Sequence, residues 1–247
     1  MSTRAFPTRA ISAQARAEFA LQLRRGENAI VTLAIPLGVL VFFSKVDAVS
    51  TNLDEPVDFL VPGVLSLGVM AAAMVSLGIA TGFERRYGVL KRLGSTPLSR
   101  FGLLAAKTAT VLALEVIQLI LVVVTGIALG WDVTGGVVPA LGLLLLGTIA
   151  FAGIGLLMAG TLRAEANLAL SNALFLVLLF LGGMAYPLDK LPGALEAFAK
   201  LLPAAALSET VRSVLSSEPF PTGELVVLVV WAIVMPLAAA RWFRWEE

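Results

Sequence analysis

The sequence predicts an all-α integral membrane protein with six transmembrane helices, and its composition and hydropathy carry that prediction. Of the 247 residues, 58% are hydrophobic and only 14% are charged, and the mean hydropathy is +0.92. A soluble domain has about 45–50% apolar and about 25% charged residues. One core of this size cannot bury so large an apolar excess, so much of the surface must face lipid.

Six apolar segments follow one another along the chain, separated by clusters of charge, proline and paired glycine. A spanning helix needs roughly 20 mostly apolar residues. The first segment is shorter than that and contains Pro36, which predicts a kink. All six belong to a single transmembrane domain, 1–247. The predicted spans are about 29–43, 57–83, 101–129, 137–161, 166–186 and 225–240.

The distribution of basic residues predicts the orientation, because cytoplasmic loops carry an excess of Lys and Arg. Most of the 18 basic residues lie in both terminal tails, in the loop after the second span and in the loop after the fourth. The exceptions are Lys45, Lys190, Lys200 and Arg212. Both termini are therefore expected in the cytoplasm. The alanine- and arginine-rich composition suggests a bacterial plasma (inner) membrane.

Two segments outside the spans are also predicted to be helical. Residues 10–26 repeat an apolar residue at every fourth position from Ile11 to Leu23, which is typical of an amphipathic helix on the inner leaflet. A disordered basic tail is the alternative. Residues 187–223 carry two apolar helical faces separated at Pro203, which predicts an outer re-entrant segment. Such backbone is tolerated only where protein buries it or where it lines a cavity.

The segment 84–98 predicts a basic amphipathic helix on the cytoplasmic side, between the second and third spans. Apolar residues at steps of three and four form one helical face, and basic residues occupy the rest. One face can lie on the bundle while the other contacts a soluble partner; a membrane-surface helix without a partner is the alternative. The apolar face consists of Phe83, Tyr87, Leu90, Leu93 and Pro97.

These residues carry a family resemblance. The cytoplasmic coupling segment of ABC-2 type transporter permeases, especially drug and antibiotic exporters, is similar to Glu84-Arg85-x-x-Gly88-x-Leu90-x-Arg92-Leu93 followed by Thr96-Pro97-Leu98-Ser99. The opening of the family's second span resembles Val61-Pro62-Gly63. Its re-entrant helices resemble Gly183-x-x-Tyr186-Pro187-Leu188-x-x-Leu191-Pro192 leading into Leu202-Pro203.

The resemblance implies a permease subunit of an ATP-driven exporter that moves a lipophilic substrate (a drug, an antibiotic or a lipid-like molecule) by alternating access. It implies a second permease, identical or related, and separate ATP-binding subunits that dock at the coupling helix. Net charge of only +1 suggests no nucleic-acid partner. The residues expected to couple to the ATPase are Glu84, Arg85, Tyr87, Leu90, Lys91, Arg92 and Leu93.

No ATPase site is expected in this chain, so it is predicted not to be an enzyme. A phosphate-binding loop needs Gly-x-x-x-x-Gly-Lys-Ser/Thr, and none of the lysines follows a glycine. No cofactor is expected here, and ATP and Mg are expected on the partner ATPase. The sequence also lacks His and Cys, which removes the familiar triads and thiolate metal sites.

Glu115 and Gln118 lie in the middle of the third span. A charged residue there costs on the order of 2.5–3.5 kcal/mol on insertion scales, so both should face other helices or water. They are candidates for the translocation path, and a protonated or hydrogen-bonded packing contact is the alternative. Asn167 and Asn172 on the fifth span are expected to hydrogen-bond to neighbouring helices.

Three other functions compete with the permease. An intramembrane enzyme would need catalytic residues that the sequence lacks. An ion-coupled secondary transporter would normally show internal repeats, and none is convincing here. A non-transporting membrane scaffold is the third. Copurification with an ATPase subunit whose activity responds to a lipophilic substrate would separate the permease from all three.

Overall fold

A computed structural model describes residues 26–45, 56–94, 100–184, 186–216 and 219–244, and within these ranges the chain is helical without any β-strand. The amphipathic helix expected over 10–26 lies outside them except for its last residue. The helices in chain order are α1 (Gly26–Lys45), α2 (Pro56–Met70), a π-helical segment (Ala71–Ser76), α3 (Leu77–Arg86), α4 (Val89–Gly94), α5 (Arg100–Ala128), α6 (Val137–Thr161), α7 (Ala164–Leu181), a 3-10 turn (Leu188–Lys190), α8 (Gly193–Ala199), α9 (Pro203–Leu215) and α10 (Thr222–Trp242).

Five helices among the described residues are long and apolar enough to cross a membrane, which confirms the all-α membrane architecture. The segments α2, π and α3 run on as one of these helices. At the position of the predicted first span the structure has α1, whose described apolar part, Pro36–Lys45, is shorter. The five are Val57–Arg86, Gly102–Ala128, Val137–Thr161, Ala164–Leu181 and Thr222–Trp242.

The centre of the bundle is formed by the helix Val57–Arg86 and by α6. In the first, 83% of the apolar stretch is buried, against 22% in Gly102–Ala128. Glycines let these helices approach closely: a Cβ on Gly155 would lie 2.5 Å from the carbonyl oxygen of Met74. Because α5, α7 and α10 expose many large apolar side chains, they form the outer, lipid-compatible wall.

The two ends of the bundle differ in composition. At the basic end lie the end of α3, α4, the start of α5 and the connection between α6 and α7. At the opposite end, the α9 end, helix α9 is almost wholly buried and packs against α2, α6 and α10. It begins with Pro203 in its first turn, where a missing N–H costs nothing. The backbone N–H of Gly136 donates to the carbonyl of Val214 at 2.9 Å, which ties α9 to the start of α6.

Two predicted helices end earlier than the periodicity indicated. The single coupling helix over 84–98 is wrong, because α3 ends at Arg86 and a turn at Tyr87–Gly88 precedes α4. Gly88 has φ +71°, a left-handed conformation that breaks the helix and that glycine adopts without steric cost. Helix α7 ends at Leu181 rather than near 186, for the same reason: Gly183 has φ +63°.

Candidate functional site

The turn and α4 present aromatic and basic side chains at the surface of the basic end. Tyr87 is 70% exposed, and Lys91 and Arg92 are also exposed, whereas Leu90 is completely buried. The expected single apolar face is therefore divided between an inward Leu90 and an outward Tyr87. Leu93 lies in the last turn of α4. A partner at this end would meet Tyr87 and the two basic residues first.

Glu84 does not face outward as part of this surface but links α3 to α5. The Nζ atom of Lys107 lies 2.6 Å from Glu84 Oε2. Lys107 is one of the largest fully buried side chains in the described part of the chain. A buried lysine is tolerated only when it is paired, so this contact fixes how the second and third spans meet.

Arg85 and Arg86 fasten the end of α3 to the beginning of α7. Arg85 is buried and its Nη2 donates to the carbonyl oxygen of Leu162, in the connection between α6 and α7. Arg86 forms an exposed ion pair with Glu165 in the first turn of α7. Further into the bundle, the same two helices are joined again, because Asn167 Nδ2 of α7 donates to the carbonyl of Gly78 of α3 at 2.8 Å.

The sequence-predicted coupling residues thus fall into two groups. Glu84, Arg85 and Leu90 are bracing groups that hold the segment to the bundle. Tyr87, together with its two basic neighbours in α4, forms the accessible surface. The first group connects α3 to α5 and to the connection between α6 and α7, and the Gly88 turn connects α3 to α4.

Glu115 lies deep in the bundle, where α5 meets α6. Thr148 Oγ1 lies 2.5 Å from Glu115 Oε2, and Glu115 Oε1 is buried with no donor of the described residues within reach. Gln118 is also buried and packs onto Gly68 of α2, where a Cβ would overlap its amide nitrogen. The structure therefore brings both predicted translocation-path residues into one interhelical site.

A cavity of about 220 Å³ opens beside Glu115 and Gln118, between α2, α5 and α6. Its other walls are aliphatic, among them Leu65, Leu112 and Leu145. A second cavity of about 340 Å³ lies between α5, α6 and α10 and shares Leu112 and Leu145 as walls with the first. Among the described residues that line this cavity, Thr108 is the one with a side-chain hydroxyl.

At the α9 end, a second buried arginine braces the other end of α7. Arg212 Nη2 donates to the carbonyl of Gly183 at 2.7 Å, and the guanidinium lies 3.9 Å from the centre of the Phe59 ring. It is also paired with Glu209 one turn earlier on α9. Ser208 donates to the carbonyl of Gly182 beside it, so this corner is held by several hydrogen bonds.

Sequence reasoning missed Lys107, Thr148 and Arg212. The orientation argument counts Lys107 with the basic residues of the loop after the second span, but Lys107 follows seven residues of α5, and its position inside an apolar run is the available signal. Thr148 is the partner of Glu115, yet a lone threonine in an apolar helix gives little signal, since it can bond to its own backbone. Asn167 was predicted to bond between helices and does so, whereas Asn172 is exposed.

Comparison with known proteins gives a consistent result. The model of the ABC-2 type transporter family matches residues 9–216. The chain is similar to the "Probable multidrug ABC transporter permease YbhS" of Escherichia coli (strain K12), 27% identical over 190 residues, which cover 75% of this chain and 48% of that protein. It thus spans about half the length of that relative. It is also 27% identical over 201 residues to the "Putative transport permease YvfS" of Bacillus subtilis (strain 168), with 77% and 79% covered.

Proposed function

The chain belongs to the ABC-2 type transporter family, and from this premise we propose that it is the membrane-spanning permease subunit of an ATP-driven exporter. It works with separate ATP-binding subunits that carry ATP and Mg, and with a second permease, identical or related. Its place is a bacterial inner membrane, with both termini in the cytoplasm. It moves a lipophilic substrate out of the cytoplasm or the inner leaflet.

The observation that carries this proposal is the accessible surface formed by Tyr87, Lys91 and Arg92 on a segment that is firmly braced behind. If the turn were not held to the bundle, a docking partner would deform the turn and no displacement would reach the spans. Here Glu84 and Arg85, directly before the turn, contact α5 and the α6–α7 connection. Displacement of the surface therefore moves three spans together.

The mechanism follows from this arrangement. Nucleotide-driven closure of the ATPase pair presses on the turn and α4, and the Gly88 turn passes the displacement into α3. Because α2 and α3 form the most buried helix of the bundle, their tilt repacks the interior. Alternating access is then a shift of population between two packings, biased by the different contacts that the ATPases make in each.

The lipophilic character of the substrate is supported by the two cavities beside α5 and α6, whose walls are almost entirely aliphatic in the described residues. The similarity to YbhS, a probable multidrug permease, agrees with such a substrate. Large exposed apolar side chains on α5, such as Val116, Ile120 and Val124, suit contact with lipid or with a second permease.

The coupling proposal is tested by reversing charge at the accessible surface. In a reconstituted complex with its ATPase subunits, Arg92→Glu is expected to abolish substrate transport while ATP hydrolysis and membrane insertion persist. The matched control is Lys190→Glu, an exposed basic residue at the α9 end, which should transport like the wild type. Unchanged transport per ATP in Arg92→Glu would defeat the assignment.

A further inference from the structure

The cavity beside Glu115 contains an acidic group whose hydrogen bonding is incomplete. Oε1 of Glu115 is buried, and no donor of the described residues reaches it. Buried polar atoms are normally satisfied, and leaving one without a partner costs about 1–3 kcal/mol. A packing contact alone would not need a carboxyl group at the edge of a 220 Å³ space.

The other oxygen of the same carboxyl group, Oε2, competes with a backbone carbonyl for the one hydroxyl hydrogen of Thr148. Thr148 Oγ1 has one hydrogen, yet it lies 2.5 Å from Glu115 Oε2 and 2.9 Å from the carbonyl oxygen of Leu144. The hydroxyl can donate to Glu115 Oε2 or to the Leu144 carbonyl, but not fully to both at once. The carboxyl group therefore retains acceptor capacity for a donor group of a ligand.

The residues that line the two cavities indicate which kind of ligand could supply that donor. Gln118 is the one other lining residue with a polar side chain, and the rest are aliphatic. The larger cavity, of about 340 Å³, lies on the other side of the shared walls Leu112 and Leu145, and its described lining is apolar except for Thr108. A ligand that occupied both spaces would need one polar end and an apolar body.

We propose that these two cavities form a binding site for a lipophilic amine, with its ammonium group at the carboxyl group of Glu115 and its apolar body between α5, α6 and α10. This inference rests on the proposed function and specifies the chemical class of its substrate. Two lining residues of the first cavity, Val116 on α5 and Leu141 on α6, are exposed on the outside of the bundle, so a membrane-dissolved amine can enter from the side. Gln118, held by Gly68, offers the ammonium group a second acceptor.

The test uses the full-length chain in lipid nanodiscs without ATPase subunits or ATP. The probes are dodecylamine and 1-dodecanol, each with a photoreactive diazirine in the alkyl chain, and labelled peptides are identified by mass spectrometry. Dodecylamine is expected to label the α5 and α6 walls saturably. Glu115→Gln keeps the shape of the side chain and removes its charge, so it should weaken amine labelling about tenfold or more and leave dodecanol labelling unchanged.

Two further variants keep the test decisive. Glu224→Gln changes a carboxyl at the start of α10, outside both sets of lining residues, and should label like the wild type. Leu145→Trp fills the shared wall and should abolish labelling by both probes, which tests the site even where Glu115→Gln fails to fold. Equal amine labelling in Glu115→Gln, or labelling spread evenly over the outer wall, would overturn the site. Either result leaves coupling at Arg92 untouched, because this experiment needs no ATPase.

Discussion

Two buried arginines at opposite ends of α7 each donate a hydrogen bond to a backbone carbonyl, but their surroundings differ. Arg85 donates to the carbonyl of Leu162 just before α7, and Arg212 donates to the carbonyl of Gly183 just after it. Arg212 belongs to a helix that the bundle surrounds, with Phe59 stacked on its guanidinium. Arg85 lies two residues before the Tyr87–Gly88 turn, which leads into the exposed basic residues of α4. The α9 end is therefore held from several sides, whereas at the basic end a fixed helix leads into an exposed segment.

This difference teaches how a bundle can be stiff and still respond to a partner. Under the proposed coupling, a load on α4 is expected to move α3, α5 and α7 together, because the contacts of Glu84, Arg85 and Arg86 hold the end of α3 to both neighbours. At the α9 end the same kind of attachment holds α9 in place between α2, α6 and α10. Changes at the α9 end should therefore cost stability, and changes at the basic end should cost coupling.

The largest loss of stability is expected for Arg212→Ala. Removing one partner of a buried charged network costs about 3–5 kcal/mol, because Glu209 and the Gly183 carbonyl lose their shared partner. Thermal unfolding of the purified chain measures the effect. Lys200→Ala at the same end should stay within about 0.5 kcal/mol of the wild type, since the ion pair of Lys200 with Glu196 is exposed to solvent. Equal stability of the two variants would show that the contacts of Arg212 do not hold the α9 end together.

A smaller loss of stability, joined to a loss of coupling, is expected for Arg85→Ala. A charge-assisted hydrogen bond to a buried carbonyl contributes about 1.5–3 kcal/mol. The variant should also hydrolyse ATP in the complex with less transport per ATP, because α3 no longer moves with the α6–α7 connection. Arg163→Ala, an exposed residue beside Leu162, is the control for both readouts. Wild-type transport per ATP in Arg85→Ala would show that the hydrogen bond from Arg85 to Leu162 is not needed for coupling.

The smallest change in stability with a clear functional effect is expected for Gly88→Ala. Apart from Gly88 and its two chain neighbours, no heavy atom of the described residues lies within 4 Å of the place where a Cβ would stand, so the expected cost comes from the positive φ. A left-handed conformation costs an alanine roughly 1–2 kcal/mol and costs asparagine less. Transport should therefore decrease in the order glycine, asparagine, alanine, measured in the reconstituted complex. Wild-type transport with alanine would mean that the turn is not needed.

The sequence predicted the helices better than their contacts. Helix α6 covers Val137–Thr161, the range predicted from hydropathy, because an apolar run bounded by glycines and a basic residue is a local signal. The turn at Gly88 was not predicted, since helical periodicity contains no information about the sign of φ. The Glu84–Lys107 pair and the Glu115–Thr148 contact depend on which helix faces meet. Those faces are set by packing over the whole bundle.

The most direct test of the central claim compares the chain's two tyrosines, which lie at opposite ends and are both exposed, Tyr87 by 70% and Tyr186 by 45%. Each is replaced in turn by the photoreactive p-benzoylphenylalanine, and the intact complex is irradiated in the membrane. The account predicts a cross-link to the ATPase subunit from position 87 and none from position 186. A cross-link from position 186, or none from position 87, would contradict it.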